Sequence, residues 1–223
     1  MEDFLFELIG AIYGDGHVHS TENRITIVGS LEDYYYYQFY LKPNIEKLFD
    51  VKVYIRKRKD RNAYYLSFEN KKVMQKLLDL GLSRGKKENL QIFNFPNKIA
   101  LINFLRGLFD TDGSLKFSKQ TKDYNYYPRL QFCFKKSDFS FNLGELFEIL
   151  EFNYAKWYDK RDHQWCYQIS GKKNLEQWQK MVGFSNIVHF SKYLFWKKYG
   201  YCISKSTLDD RLKTLNLKIE DLF

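Results

Sequence analysis

The chain has 223 residues, of which 44% are apolar and 28% are charged. This composition is typical of one large or two small globular domains, and it excludes a disordered chain and a small disulfide-stabilised scaffold. A formal net charge of +9 favours a polyanionic partner, with nucleic acid as the first candidate.

The first half of the chain alternates between helical and strand periodicity. Apolar residues at helical spacing predict a helix over 4–12 that runs into the pair Asp15-Gly16. The segments that follow are a hairpin over 18–28, an amphipathic helix over 33–49 capped by Asp33, a second hairpin over 51–68 and a short helix over 72–80.

The second half repeats this order. An apolar stripe predicts a helix over 99–109 that runs into Asp112-Gly113. The segments that follow are a hairpin over 115–134, a helix over 138–152 capped by Asp138, a second hairpin over 155–170 and a short helix over 175–181. A capping-box-like stretch at 206–209 then predicts one or two docking helices in the tail.

An internal repeat underlies this order. Segment 8–17 aligns with segment 105–114 at an offset of 97, and matching residues further along align at an offset of 102. The sequence therefore predicts two repeats and a tail, with boundaries at 1–95, 96–200 and 201–223. The expected fold class is α+β.

Each repeat begins with a helix that ends in an acidic turn. Small residues four apart, Gly10 with Gly14 and Gly107 with Thr111, allow two helix backbones to approach closely. If the two helices cross, Asp15 and Asp112 lie side by side at their C-terminal ends. Paired carboxylates repel each other there, and a hard divalent cation such as Mg²⁺ relieves the repulsion.

Both acidic segments resemble the LAGLIDADG motif, and the two-copy arrangement resembles the single-chain, pseudo-symmetric homing endonucleases. This resemblance implies two αββαββα repeats, packed through the motif helices, with two antiparallel four-stranded sheets forming a saddle over the DNA major groove. It also implies that Asp15 and Asp112 bind the catalytic metal, with the carbonyls of Gly14 and Thr111 beside them. Thr111, larger than the Gly or Ala often found at its position, is expected to widen one side of the crossing.

Catalytic lysines are also expected. Segment 83–87 resembles the family loop that carries such a lysine, which points to Lys86 or Lys87. Lys135 and Lys136 fall where family members often have a basic or polar residue that positions solvent, and Lys136 is taken as the catalytic one. The second half lacks a matching lysine until Lys192, so the two sites are expected to be chemically unequal.

Alternating polar side chains on the predicted strands would form a DNA-reading surface, because long polar side chains on one sheet face can reach base edges. The candidate contacts are Arg24, Thr26, Tyr54, Arg56, Arg58, Lys116, Ser118, Arg129, Gln131 and Lys135.

The expected function is site-specific, metal-dependent cleavage of double-stranded DNA at a long asymmetric site by an intron-encoded monomer. Mg²⁺ is the expected cofactor, and Mn²⁺ or Ca²⁺ would substitute for it in binding. The alternatives on the same scaffold are an RNA-splicing maturase and a DNA-binding protein that does not cleave. A basic α+β structural protein is a further alternative, which the doubled acidic helix disfavours.

Cysteine spacing and hydropathy bear on the environment of the chain. Cys133, Cys166 and Cys202 form an odd set without a Cys-x-x-Cys pair, so three buried free thiols are expected. No apolar run reaches the roughly 18 residues of a membrane span, and the acidic start does not resemble a signal peptide. We expect an intracellular protein that is neither secreted nor bound to a membrane.

Overall fold

The structure is a computed structural model that describes residues 2–85, 90–91 and 94–223. Its α-helices are α1 (Glu2–Asp15), α2 (Tyr34–Tyr36), α3 (Lys42–Phe49), α4 (Lys71–Asp79), α5 (Lys98–Asp112), α6 (Asp138–Ile149), α7 (Lys172–Met181), α8 (Ile187–Tyr199) and α9 (Leu208–Leu215). A π-helical turn (Tyr37–Leu41) joins α2 to α3, and a 3₁₀ turn (Ile219–Leu222) follows α9. None of the described helices has the length and apolar character that crossing a membrane requires.

Two antiparallel four-stranded sheets carry the rest of the fold. The first contains β1 (Gly16–Val18), β2 (Arg24–Ser30), β3 (Val53–Lys57) and β4 (Ala63–Glu69), and the second contains β5 (Gly113–Ser118), β6 (Tyr127–Lys135), β7 (Ala155–Asp159) and β8 (Gln164–Ser170). Their strand orders are the same, β1-β2-β4-β3 and β5-β6-β8-β7. The predicted α+β class and the two pseudo-symmetric αββαββα repeats are therefore confirmed.

Strict alternation on the inner strands explains why each sheet has one buried and one open face. Ile25 and Ile27 on β2 are buried, and so are Leu130 and Phe132 on β6. The intervening residues face the other way and are partly exposed. A period of two puts successive side chains on opposite faces, so the apolar set packs on the helices and the polar set lines the open surface.

The predicted caps of two helices are wrong. Asp33 makes no capping bond to α2, because its Oδ2 accepts hydrogen bonds from the backbone N and the Oγ of Ser30, at 2.7 Å each. Asp138 is the first residue of α6, and Ser137 caps it through a reciprocal bond pair with Ser140. Serine fits this role because its short hydroxyl reaches the first-turn amides.

Helix α8 has no counterpart among the predicted elements, whereas the docking helix predicted in the tail is present as α9. Thr207 caps α9 and exchanges bonds with Asp210. The apolar side of α9 packs on the start of α8 and on Tyr35 of the first repeat. The Leu208 amide also donates to Glu32, so the tail spans the junction between the repeats.

Candidate functional site

The two motif helices meet in direct backbone contact. A Cβ atom on Gly10 would lie 2.0 Å from the carbonyl oxygen of Phe104, and one on Gly107 would lie 1.9 Å from that of Glu7. Real Cβ atoms do not approach a backbone oxygen so closely, so only glycine fits at either position. The crossing of α1 and α5 is thus equally tight on its two sides.

The acidic ends of these helices lie next to each other. Asp15 and Asp112 are the last residues of α1 and α5, and both are partly buried. A Cβ atom on Gly14 would lie 2.1 Å from Thr111 Oγ1 and 3.2 Å from Asp112 Cβ. The sequence-predicted meeting of the two helix ends is therefore present in the structure.

Thr111 lies in the crossing with its hydroxyl against Gly14, and the widening expected from its size stays a prediction. Its hydroxyl donates to the Gly107 carbonyl of its own helix at 2.9 Å and lies 3.4 Å from the Ala11 carbonyl of the other helix. Back-bonding to the preceding turn holds the hydroxyl in the gap between the two helices, next to Gly14. The hydroxyl thereby becomes a polar contact between the repeats.

A cavity of about 530 Å³ opens beside Asp112. Its walls include Gly14 from the first repeat and Cys133, Lys135 and Gln164 from the second sheet. Lys135 and Gln164 are directly opposed on β6 and β8, so an ammonium and an amide reach the same opening as the carboxylate. This combination can bind an anionic group and orient a water molecule.

Of the predicted lysines that the structure describes, Lys135 is the one that lines this cavity. Lys136 follows the end of β6, is exposed, and does not line it. Lys86 and Lys87 lie outside the described residues. The segment leading to them is held along β1 as far as Gly85, whose amide donates to the Val18 carbonyl at 2.9 Å.

Sequence analysis did not assign Gln164 a role. The available signal was alternation, because Gln164, Cys166 and Gln168 occupy every second position after the turn at 161–163. Their common face became informative only when the register placed Gln164 opposite Lys135 and Gln168 opposite Gln131. That register depends on strand order, which local periodicity does not give.

The expectation of three free thiols is wrong. Cys133 and Cys166 form a disulfide between directly opposed residues of β6 and β8, with a Cα–Cα distance of 4.2 Å. Cys202 is buried and is the free cysteine of the described chain. The two partners are 33 residues apart and became neighbours through sheet pairing, which cysteine spacing alone does not predict.

The open face of the first sheet carries several predicted contact residues. Thr26 and Tyr54 both oppose Ser67, and Arg56 opposes Tyr65. Tyr54 and Arg56 are exposed, and the Arg56 guanidinium lies 5.5 Å from the Tyr54 ring centroid. A polar, aromatic and cationic strip therefore runs across β2, β4 and β3.

Two arginines of the predicted face are engaged in local ion pairs. Arg24 pairs with Glu22 in the β1–β2 turn, and both side chains are partly exposed. Arg58 lies beyond the end of β3 and pairs with Asp60 at 2.8 Å. Arg58 therefore belongs to the hairpin tip and not to the strand face on which alternation had placed it.

The open face of the second sheet gathers the remaining predicted contacts. Lys116 opposes Arg129, and its Nζ donates to Gln131 Oε1 at 2.8 Å. Ser118 lies on the same face of β5, and its buried hydroxyl has no hydrogen-bond partner among the described atoms, as is true of Arg129 Nε. Lys116 and Gln131 thus carry polar groups on this face, whereas Ser118 Oγ and Arg129 Nε are buried beneath it.

A pair of buried acids lies behind the crossing and escaped sequence analysis. Burial raises the pKa of Asp110 well above its usual range, and the nearby Glu7 carboxylate raises it further. Asp110 Oδ2 accepts from the backbone amides of Ser185 and Asn186, at 2.6 and 3.0 Å. These hydrogen bonds connect α5 to the start of α8, and Asp110 is not among the residues that line the cavity.

Glu7 and Arg106 join the motif helices on that same side. The Glu7 carboxylate receives a bond from Arg106 Nη1 at 3.1 Å and another from the Tyr40 hydroxyl at 3.0 Å. Burial raises the pKa of Glu7, while the Arg106 charge opposes the rise. The two motifs also differ at the position of Asp110, which aligns with Tyr13 in the first repeat.

The donor chemistry of the site fits a hard divalent cation. Within residues 2–85, 90–91 and 94–223, no group of three or more His, Cys, Asp or Glu side chains could hold a metal ion. Mg²⁺ does not need such a cage, because it keeps several waters and often uses one or two carboxylates together with substrate phosphates. Asp15 and Asp112 match that requirement.

Comparisons with known proteins bear on the fold. No protein-family model matches the sequence, and no curated protein matches it. A structure of mesophilic variants of the homing endonuclease I-DmoI is similar with a TM-score of 0.58 and 19% identity, covering 81% of this chain and 95% of that one.

Two further solved structures are similar. I-DmoI in complex with DNA and Ca has a TM-score of 0.55 and 20% identity over 84% of this chain and 88% of that one. Full-length DUF199/WhiA from Thermatoga maritima has a TM-score of 0.57 and 14% identity over 99% of this chain and 87% of that one. The chain therefore has the LAGLIDADG fold, with both repeats in a single polypeptide.

Proposed function

We propose that this chain is a metal-dependent homing endonuclease that cleaves both strands of double-stranded DNA at a long, asymmetric site. The observation that carries the proposal is the pair of acids, Asp15 and Asp112, held together by a glycine-tight crossing between two polar sheet faces. The likeness to I-DmoI, solved in complexes with DNA and Mn, Mg or Ca, supports it.

The acids would hold Mg²⁺, with the carbonyls of Gly14 and Thr111 beside them, and Mn²⁺ or Ca²⁺ would substitute in binding. When bound, such an ion polarises a phosphoryl oxygen and lowers the pKa of a water molecule. The helix crossing fixes the separation of the acids before DNA arrives, so no reorganisation is needed during the reaction. Both acids come from one chain, and the protein would act as an intracellular monomer.

Lys135 and Gln164 would act beside Asp112. The ammonium of Lys135 would stabilise negative charge that develops on the phosphate, and the Gln164 amide would orient a water molecule within the same cavity. Lys136 is exposed beyond the strand end and would contact the DNA backbone. Lys86 or Lys87 would supply the corresponding charge on the side of the first repeat.

The two open sheet faces would read the target. Arg56 and Arg129 suit guanine, and Gln131 suits adenine, since each can form two hydrogen bonds to those bases. The remaining predicted contacts would bind phosphates or bases on the two half-sites. The faces differ in side-chain content, so the half-sites would differ in sequence.

The test is cleavage of a randomised duplex library with Mg²⁺, followed by sequencing of the broken ends. We expect breaks within one long motif, and loss of cleavage with retained binding in Asp15→Asn and Asp112→Asn. Asp123→Asn, an exposed acid in the β5–β6 loop, serves as the matched control and should cleave normally. Normal cleavage by both motif variants would remove the mechanism.

A DNA-binding protein that does not cleave, or an RNA-splicing maturase, would use the same scaffold. The same library experiment separates these alternatives from a nuclease, because enrichment of one bound sequence without broken ends identifies a binding protein. Binding of a structured RNA in preference to every duplex would identify a maturase.

A further inference from the structure

A pocket lies along the outer edge of β5, where the tail crosses the second sheet. We call it the edge pocket, and its volume is about 300 Å³. It is lined by Lys116, Lys192, Lys205, Cys202, Ser204 and Ser206, together with apolar residues of β5. Three lysines and two serines thus line one opening, and no acid is among its described lining residues.

A buried cation lies behind the pocket wall, where it contacts Ser206. Arg211 is 1% exposed, and its guanidinium donates to Ser191 Oγ at 3.0 Å and to the Ser206 hydroxyl and carbonyl. These acceptors are neutral, and none of the described carboxylates forms an ion pair with Arg211 or Lys192. Burial lowers the pKa of Arg211, and the charges of Glu32 and Asp210 raise it without forming an ion pair with it. An anion in the pocket would further offset the cost of this buried charge.

The acids nearest to this cluster are engaged elsewhere. Glu32 accepts from the Leu208 amide, and Asp33 accepts from Ser30 and from the Asn186 side chain at 2.8 Å. Burial and the Arg211 charge lower the pKa of Lys192. The charges of Glu32 and Asp33 oppose that shift, and the lining of the pocket itself is cationic.

The pocket is continuous with the open face of the second sheet. Lys116 belongs to both, since it lines the pocket and its Nζ donates to Gln131 on the sheet. The Cys202 amide donates to the Asn125 carbonyl at 2.8 Å, which holds the tail segment against the β5–β6 loop. A polyanion lying on the sheet would therefore pass the mouth of the pocket.

We propose that the edge pocket binds one phosphate group through Lys192, Lys205 and Lys116, with Ser204 as a hydroxyl donor. Tetrahedral oxyanions accept several charge-assisted hydrogen bonds at once, which matches this donor set. The phosphate is a backbone phosphate of DNA lying on the second sheet, and this source, though not the pocket itself, rests on the proposed function. The tail thereby extends the phosphate-binding surface beyond the two sheets.

The experiment compares the full chain with the double variant Lys192→Met plus Lys205→Met. The matched control is Lys198→Met plus Lys213→Met, which also removes one lysine of α8 and one of the tail, both exposed. Inorganic phosphate at constant ionic strength should raise the thermal midpoint of the wild type and of the control, but not that of the double variant.

Duplex DNA provides the second arm. The slope of log affinity against log salt should become shallower by about 0.9 for each DNA phosphate that the double variant no longer neutralises, and should not change in the control. A phosphate effect on stability with unchanged slopes would assign the pocket to free phosphate and overturn the DNA source. No effect of phosphate on the wild-type midpoint, together with equal slopes, would overturn the pocket. If the wild type binds no duplex, the proposed function is contradicted. The effect of inorganic phosphate on the thermal midpoint then tests the pocket by itself.

Discussion

The two repeats share strand order and helix crossing but differ at the positions next to the motif acids. In the first sheet the paired positions are Val28 with Tyr65 and Ser30 with Ala63. In the second sheet the corresponding pairs are Cys133 with Cys166 and Lys135 with Gln164. The backbone architecture is therefore symmetric, while the chemistry around each acid is not. A shared fold fixes where two groups lie, but not how reactive their surroundings are.

The largest effect is expected where the repeats are most alike. Gly10→Ala and Gly107→Ala should each destabilise the protein by about 3 kcal/mol or more, because the new methyl group meets a backbone carbonyl that no rotamer change can move. Urea denaturation of both variants measures the loss. Gly14→Ala is the comparison and should cost less, because its methyl group meets side-chain atoms of Thr111 and Asp112 and no backbone carbonyl. A loss at one glycine alone would show that the crossing is not symmetric.

Cleavage of the two DNA strands should reveal where the repeats differ. Lys135→Met should slow cleavage of one strand by about 100-fold, the size of effect seen when a group that stabilises transition-state charge is removed. Ser30→Ala, the equivalent position in the first sheet, should leave both strands unaffected. Strand-specific end-labelled duplexes measure both rates. Equal slowing of the two strands would place Lys135 in a role common to both sites.

The disulfide should make one sheet sensitive to reductant. Reduction of Cys133–Cys166 by a dithiol should lower the free energy of unfolding by about 2 kcal/mol, because the unfolded chain regains the freedom that the 33-residue loop had lost. Urea titrations with and without the dithiol measure this. A double variant, Cys133→Ser plus Cys166→Ser, should be less stable from the start and should not respond. The Val28–Tyr65 pair of the first sheet offers no bond to break.

The last prediction concerns how stability depends on pH, and it compares the aligned residues Tyr13 and Asp110. Burial raises the pKa of Asp110 in the folded state. The folded state therefore keeps a proton that the unfolded state releases above pH 3.8, the usual pKa of an aspartate. Stability from this group is therefore full below that pH and falls as pH rises through the folded-state pKa, by at most about 1.4 kcal/mol per pH unit.

Asp110→Asn should flatten this decline, since an amide does not titrate and its oxygen can still accept from Ser185 and Asn186. Thermal unfolding between pH 4 and 8 tests it, with the exposed Asp123→Asn as control. The aligned Tyr13 of the first repeat does not titrate in this range, because burial raises its pKa to about 12. A wild-type profile that rises across the range would contradict the assignment.

Much of the fold could be predicted because its signals are local. Helical spacing in α1 and α5 and alternation in β2 and β6 each lie within one segment. The acids Asp15 and Asp112 could be chosen as candidates from the sequence because a repeated motif marks them twice. Gln164 and the disulfide were missed, since both depend on which strands pair and in what register. Helix α8 was missed as well, because its apolar residues lie on several sides of the helix and form no clear stripe.

The sequence by itself determined the duplication, the small residues that permit a close crossing and the two acids that end the motif helices. Only the tertiary structure decided that Lys135 and not Lys136 reaches the cavity beside Asp112, that Asp110 is buried as a fastener, and that the tail closes a cationic pocket at the edge of β5. The physical reason is the distance along the chain over which each kind of interaction acts. Periodicity and steric constraint act between neighbours in the chain, whereas side-chain environment depends on sheet register and on contacts between residues far apart in sequence.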